Sequence, residues 1–106
     1  MRVVITESKI DSIIRKYLDD NYYPDYGWAD KEFYKNEFEN FDSINFDIND
    51  YMVYRFIKVI RGRENMLTIA DPDDLDSLFN NKWPPVFVSW FEEHTGLKVD
   101  DFRIIR

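Results

Sequence analysis

YMVYRFIKVI, which runs from Tyr51 to Ile60, decides the fold. It is dense in β-branched and aromatic residues, the types that fit a pleated, half-buried surface. Read as a strand, it is the central one of a sheet. A helix is the rival, because Val53, Phe56, Ile57 and Ile60 also recur at helical spacing. Strand-like segments flank it. Before it, SINFDIN sets Ile44, Phe46 and Ile48 inward against polar alternates, which is the period of a strand. After it, RGREN reads as a turn that leads to MLTIA, a further strand. The chain closes on LKVDDFRIIR, with Phe102 to Ile105 as a final strand.

The rest of the chain reads mainly as helix. Val3, Val4 and Ile5 form a short β-branched run, expected as a brief strand. TESKIDSIIRKYLDD then places Ile10, Ile13, Ile14, Tyr17 and Leu18 at helical spacing. Thr6 or Ser8 is the expected cap, with Ser8 and Asp11 as a capping box. NYYPDYGW breaks this helix at Pro24 and Gly27. In DKEFYKNEFENF, Tyr34, Phe38 and Phe41 predict a second helix. PPVFVSWFEEHTG predicts another, started by Pro84 or Pro85, with Val86, Phe87, Trp90 and Phe91 inward and Gly96 as its stop. The expected architecture is α+β: a small, mostly antiparallel β-sheet with three to four helices packed on it.

Bulk composition narrows the function. With 106 residues, the chain fits one compact α+β domain spanning 1–106. An aromatic share of 18% argues against disorder. The net charge of −7 disfavours direct attraction to nucleic acid or to an anionic membrane. There is no cysteine, which excludes a disulfide scaffold, a thiol nucleophile and a Cys-ligated metal, and which suits a reducing cytoplasm. No apolar run approaches membrane-spanning length, and no signal-peptide pattern opens the chain.

The charge is ordered acid, base, acid. Residues 15–50 carry ten acids and four bases, residues 51–70 four bases and one acid, and residues 71–102 eight acids and two bases. The basic middle interleaves Tyr51, Tyr54 and Phe56 with Arg55, Lys58, Arg61 and Arg63, a mixture that can stack on bases and hold phosphates. In a strand the mixture divides between two faces. Direct nucleic-acid binding is therefore disfavoured twice.

DPDDLDSLF, from Asp71 to Phe79, holds the densest acid cluster. As a calcium loop counted from Asp71 it fails, because Leu75, Asp76 and Lys82 stand at positions 5, 6 and 12, where the loop needs an acid, a glycine and a glutamate. As a helix start it succeeds. Asp71 is the expected N-cap, Pro72 the first helical residue, and Asp73 and Asp74 occupy the first turn, where the helix dipole favours negative charge. Leu75, Leu78 and Phe79 supply the apolar face. No metal and no cofactor is expected. Outward-facing, Asp71, Asp73, Asp74 and Asp76 form the alternative site, an acidic face that imitates nucleic acid and blocks a DNA- or RNA-binding host protein.

Catalysis has little support. His94 is the sole histidine, in the last turn of a helix that favours a cation there. The serines lack a nucleophile elbow and the three glycines are far apart. The second alternative is a small enzyme using carboxylates near His94, with Glu92/Glu93 and Asp100/Asp101 as paired acids. The expected role is instead non-catalytic binding of another protein, with a homo-oligomer left open. Its expected anchors are Tyr22, Tyr23, Tyr26 and Trp28, since aromatics in one loop cannot all face a core, and Tyr and Trp anchor interfaces.

The opening VVITESKIDSIIRKYL resembles the start of many small, mostly uncharacterised bacteriophage proteins, which begin with a short apolar run, ITES and an Ile- or Leu-rich helix. Lys9 stands where that pattern has Gln. The resemblance spans the first helix. It implies a virus-encoded accessory or assembly protein, located in the cytoplasm of a bacterial host or in the virion, and carries over no site residue.

Overall fold

A computed structural model describes residues 2–24, 27–47 and 56–105, with side chains from Lys9 onward except that of Phe56. The chain order is α1 (Arg2–Asn21), α2 (Lys31–Phe41), β1 (Ser43–Asp47), β2 (Phe56–Ile60), β3 (Met66–Ala70), α3 (Asp73–Phe79), α4 (Trp83–Thr95) and β4 (Asp101–Ile105). This is an α+β fold with a mixed, mostly antiparallel four-stranded sheet in the order β1-β2-β3-β4.

The deciding stretch is a strand where it is described. Phe56–Ile60 forms β2, an interior strand paired antiparallel to β1 and to β3. Tyr51 to Arg55 lie outside the described residues. Alternation then sorts the sheet into two faces. Two cross-strand rows face the helices: Ile44, Val59, Leu67 and Phe102, then Phe46, Ile57, Ile69 and Ile104. All eight are apolar, and all join one hydrophobic core with the helices.

β3 and β4 pair in parallel, with Leu67 opposite Phe102 and Ile69 opposite Ile104. A parallel neighbour cannot be reached by a tight turn, so the chain needs a crossover. α3 and α4 supply it. In α4, Val86, Phe87, Trp90 and Phe91 are all buried, as their spacing predicts, and Trp83, which precedes the expected start, is the first residue of the helix and is buried too. Pro84 and Pro85 sit in its first turn, where missing N–H groups cost nothing. Gly96 ends it in the left-handed conformation at φ 73°, and its N–H donates to Glu92 O at 2.8 Å. α2 is capped by Asp30, whose carboxylate accepts from the Phe33 N–H at 2.8 Å. It ends at Asp42, itself left-handed at φ 64°.

Four local expectations are corrected. Val3 to Ile5 are not a strand but the first turns of α1, which begins at Arg2. β-branched residues disfavour helix only slightly, and a lone strand gains nothing without a partner ladder. Thr6 and Ser8 therefore lie within α1 rather than capping it. Asp71 does not cap α3; Pro72 holds that position and no side chain caps it. Asp71 is left-handed at φ 54°, and its N–H donates to Ile105 O at 2.9 Å, extending the contact between β3 and β4. Pairing at the sheet end thus fixes the Asp71 backbone before the helix begins. Finally, Phe41 and Leu78, assigned to inward faces, are exposed. Phe41 is the last residue of α2, and the Asp42 turn leads the chain away at that point.

Candidate functional site

Two members of the acid cluster, Asp74 and Asp76, bond to aromatic side chains of the core and its border. Asp74 accepts two hydrogen bonds, from Tyr17 Oη to one oxygen and from Tyr22 Oη to the other, each 2.5 Å. Asp76 accepts from Trp83 Nε1 at 2.9 Å. These carboxylates let three aromatic side chains enter or border the core with their polar atoms bonded, which burial otherwise penalises. Asp73 is exposed and Asp71 is half-buried. The four acids expected to form one outward face are therefore divided. A helix turns 100° per residue, so Asp73, Asp74 and Asp76 do not share a direction.

The aromatic loop behaves in the same way. Tyr22 is fully buried at 0% exposure and belongs to the core. Trp28 is half-buried and lies between three partners. It stacks on His94 with centroids 4.4 Å apart and planes 8° from parallel, meets Trp90 edge-on at 5.3 Å, and leans on Phe46 at 5.9 Å. So Tyr22 and Trp28, expected to project as anchors, instead close the loop over the core. Tyr23 is at the surface. Tyr26 lies outside the described residues.

His94 joins a small polar cluster. Its Nε2 lies 3.3 Å from Asp19 Oδ1, which also accepts from Trp90 Nε1 at 2.8 Å. Glu92 accepts the Val99 N–H at 2.8 Å, and Glu93 pairs with Arg15. Arg15 also donates to Ser89 Oγ at 2.9 Å. Asp100 accepts the Asn65 N–H at 2.9 Å. The acids nearest His94 in sequence thus hold α4 to α1 and to the following turn, and the acid that meets the imidazole comes from α1. Among the described residues, no group of three metal-ligating side chains converges, and no helix is long and apolar enough to cross a membrane.

The basic middle does not converge either. Arg61 pairs with Asp42. Lys58 lies on the sheet face away from the core, opposite Asn45 and Thr68. Tyr51, Tyr54 and Arg55 lie outside the described residues.

Among the described residues, the exposed large apolar side chains are Ile13, Tyr23, Phe33, Phe41, Leu78 and Ile105, and two of them, Phe33 and Phe41, share α2. Phe33 is 49% exposed and Phe41 is 67% exposed. They are eight residues apart, which places them about 12 Å apart along the axis and about 80° apart around it. Tyr34 and Phe38 on the same helix are buried. Sequence pattern alone does not mark Phe33 as outward. Adjacent residues lie about 100° apart around a helix, so Tyr34 and Phe33 can divide between core and surface, as they do here, whereas α4 buries both members of Val86/Phe87 and Trp90/Phe91.

No family model, curated protein or solved structure matches this chain. Its reading therefore rests on its own residues.

Proposed function

We propose that this chain is a small, acidic, non-catalytic protein-binding module that docks through the outer side of α2. The observation that carries this reading is the pair of exposed phenyl rings, Phe33 and Phe41, on a capped helix that is anchored by Tyr34 and Phe38. A rigid helix presenting two aromatic anchors is a recurrent mode of partner recognition. Burying the exposed parts of both rings contributes about 2–3 kcal/mol in all, by the usual area scaling. The resemblance of the first helix to bacteriophage proteins supplies the setting, an accessory or assembly role in an infected cell or a virion.

Asp74 and Asp76 accept internal hydrogen bonds, which leaves the acidic-decoy reading without a continuous charged face. The two readings differ in salt response, since an exposed electrostatic contact is screened within about 8–10 Å at physiological salt. The test is capture from a bacterial lysate on immobilised wild type, on the Phe33→Ser/Phe41→Ser double variant and on Asp73→Asn, with elution in salt steps. The expected result is a partner retained at high salt by wild type and by Asp73→Asn and lost from the double variant. A partner released at moderate salt and lost from Asp73→Asn, or one held equally by the double variant, would overturn the reading.

A further inference from the structure

β4 is an edge strand, paired on one side only, in parallel with β3. A parallel ladder takes the N–H and C=O groups of alternate residues. The bonds at its two ends show which. The Asp101 N–H donates to Asn65 O at 3.0 Å, and Ile105 O accepts from the Asp71 N–H at 2.9 Å. Asp101, Arg103 and Ile105 therefore turn their backbone groups to β3, and Phe102 and Ile104 turn theirs to the free edge. The Phe102 N–H is met there by the Asp101 carboxylate at 2.9 Å. The Phe102 carbonyl and the N–H and C=O of Ile104 have no partner among the described residues.

The cover over this edge is incomplete as well. Phe102 and Ile104 face the helices but are only half-buried, while their neighbours in register, Leu67 and Ile69, are buried. On the opposite face Ile105 is half-exposed. Asp101 and Arg103 share that face, two residues apart and paired at 3.5 Å. A bare strand edge is a template for a further strand. The charges along it decide which strand fits, because residues directly opposite attract or repel across the ladder.

We propose that the free edge of β4 pairs antiparallel with β4 of a second copy of this chain, across a two-fold axis at Phe102, joining their two sheets into one. Alternation allows only registers that keep the helix-facing residues of both copies on one side, so the axis passes through a residue of β4. An axis at Asp101 or at Arg103 sets that charge against its own equivalent, which is unfavourable. An axis at Ile104 or Ile105 gives Arg103 no acid to face. An axis at Phe102 sets Asp101 opposite Arg103 of the second copy, and does so twice. These are non-hydrogen-bonded positions, where facing side chains come closest. Phe102 then lies opposite its equivalent, with N–H and C=O bonded across the axis and the two half-buried rings side by side. Asp101 exchanges the Phe102 N–H and Arg103 of its own chain for Arg103 of the second copy. α2 packs beside β1, at the other edge of the sheet, so this pairing uses none of the residues assigned to partner docking.

The test is analytical ultracentrifugation of the full chain over a range of concentrations. Wild type should be half dimeric at roughly 10–100 µM, the weak end that so short an edge allows. Asp101→Lys and Arg103→Glu each set like charges opposite one another, and each alone should weaken the dimer about tenfold or more. An equimolar mixture of the two variants should form a dimer close to wild type in affinity, because every acid across the axis then faces a base. That rescue separates loss of pairing from loss of fold, since mixing cannot refold either chain. Several results would overturn the proposal: a wild type still monomeric at about millimolar concentration, a dimer that either single variant leaves intact, or a mixture that associates no more tightly than its components.

Discussion

Replacing Asp74 by Ala should remove the acceptor of two tyrosine hydroxyls at once. Tyr17 Oη and Tyr22 Oη each donate to it at 2.5 Å. A hydrogen bond to a charged acceptor contributes about 1.5–3 kcal/mol. Asp74 is half-buried, so the lower end of that range applies to each bond, and the pair is worth about 3 kcal/mol. Tyr22 is fully buried, so its hydroxyl cannot turn to water to compensate. A domain of this size has a total stability of about 5–15 kcal/mol, which makes the loss a large share of the whole. At roughly 4–8 °C per kcal/mol, Tm should fall by about 12–24 °C. The assay is thermal and urea unfolding of wild type, Asp74→Ala, Tyr22→Phe and the double variant. Tyr22→Phe alone should cost about 1.5 kcal/mol, and close to nothing once Asp74 is Ala, because the bond is then already gone. A loss below about 0.5 kcal/mol for Asp74→Ala would place it with ordinary surface substitutions and refute the reasoning. The acid would then be solvated, and the acidic-face reading would regain its ground.

Other outcomes follow from the same structure. Gly96→Ala should cost about 1–2 kcal/mol in unfolding, because Gly96 is left-handed at φ 73° and an added Cβ would lie 3.1 Å from the Lys31 side chain. Thr68→Val should raise Tm by several degrees, because it replaces a buried hydroxyl that has no partner among the described residues by a methyl; a fall in Tm would show the hydroxyl to be satisfied. Tyr34 is held above its ordinary pKa of 10.0 by burial, with nearby Asp30 adding to the rise and the Ala29 N–H opposing it. The folded state therefore holds this proton more tightly than the unfolded chain. The stability linked to it is fully present below pH 10.0 and is lost as pH rises through the folded value. Tyr34→Phe, which has no such proton, should lose less stability than wild type in urea unfolding between neutral and strongly alkaline pH.

Much of the fold can be read from local pattern. The alternation of Ile44 and Phe46 and the run MLTIA read as strands, because a period of two sends every second side chain to one face; Tyr51–Ile60 fits a helix as well, and pairing to β1 and β3 decided its described part, Phe56–Ile60. The spacing of Val86, Phe87, Trp90 and Phe91 and the Gly96 stop specify α4, because a helix buries residues three and four apart. Where local preference was weak, context decided. Val3 to Ile5 are helical because β-branching carries a small penalty in a helix and an isolated strand carries a larger one. The Asp71 backbone follows the end of the β3–β4 pair rather than the helix after it.

The candidate sites divide along the same line. The sequence by itself determined which residues have the chemistry: the acids of 71–76, the aromatics of 22–28, and the basic middle. Only the tertiary structure decided what each faces. Asp74 meets Tyr17 and Tyr22 across more than fifty positions of chain, and Asp19 meets Trp90 and His94 across more than seventy. Lys58 and Thr68 become neighbours through strand register. Side-chain direction along one element follows from its period, which is local. The partner on the facing element follows from how elements of unlike period are laid against each other, and no window of neighbouring residues holds that information.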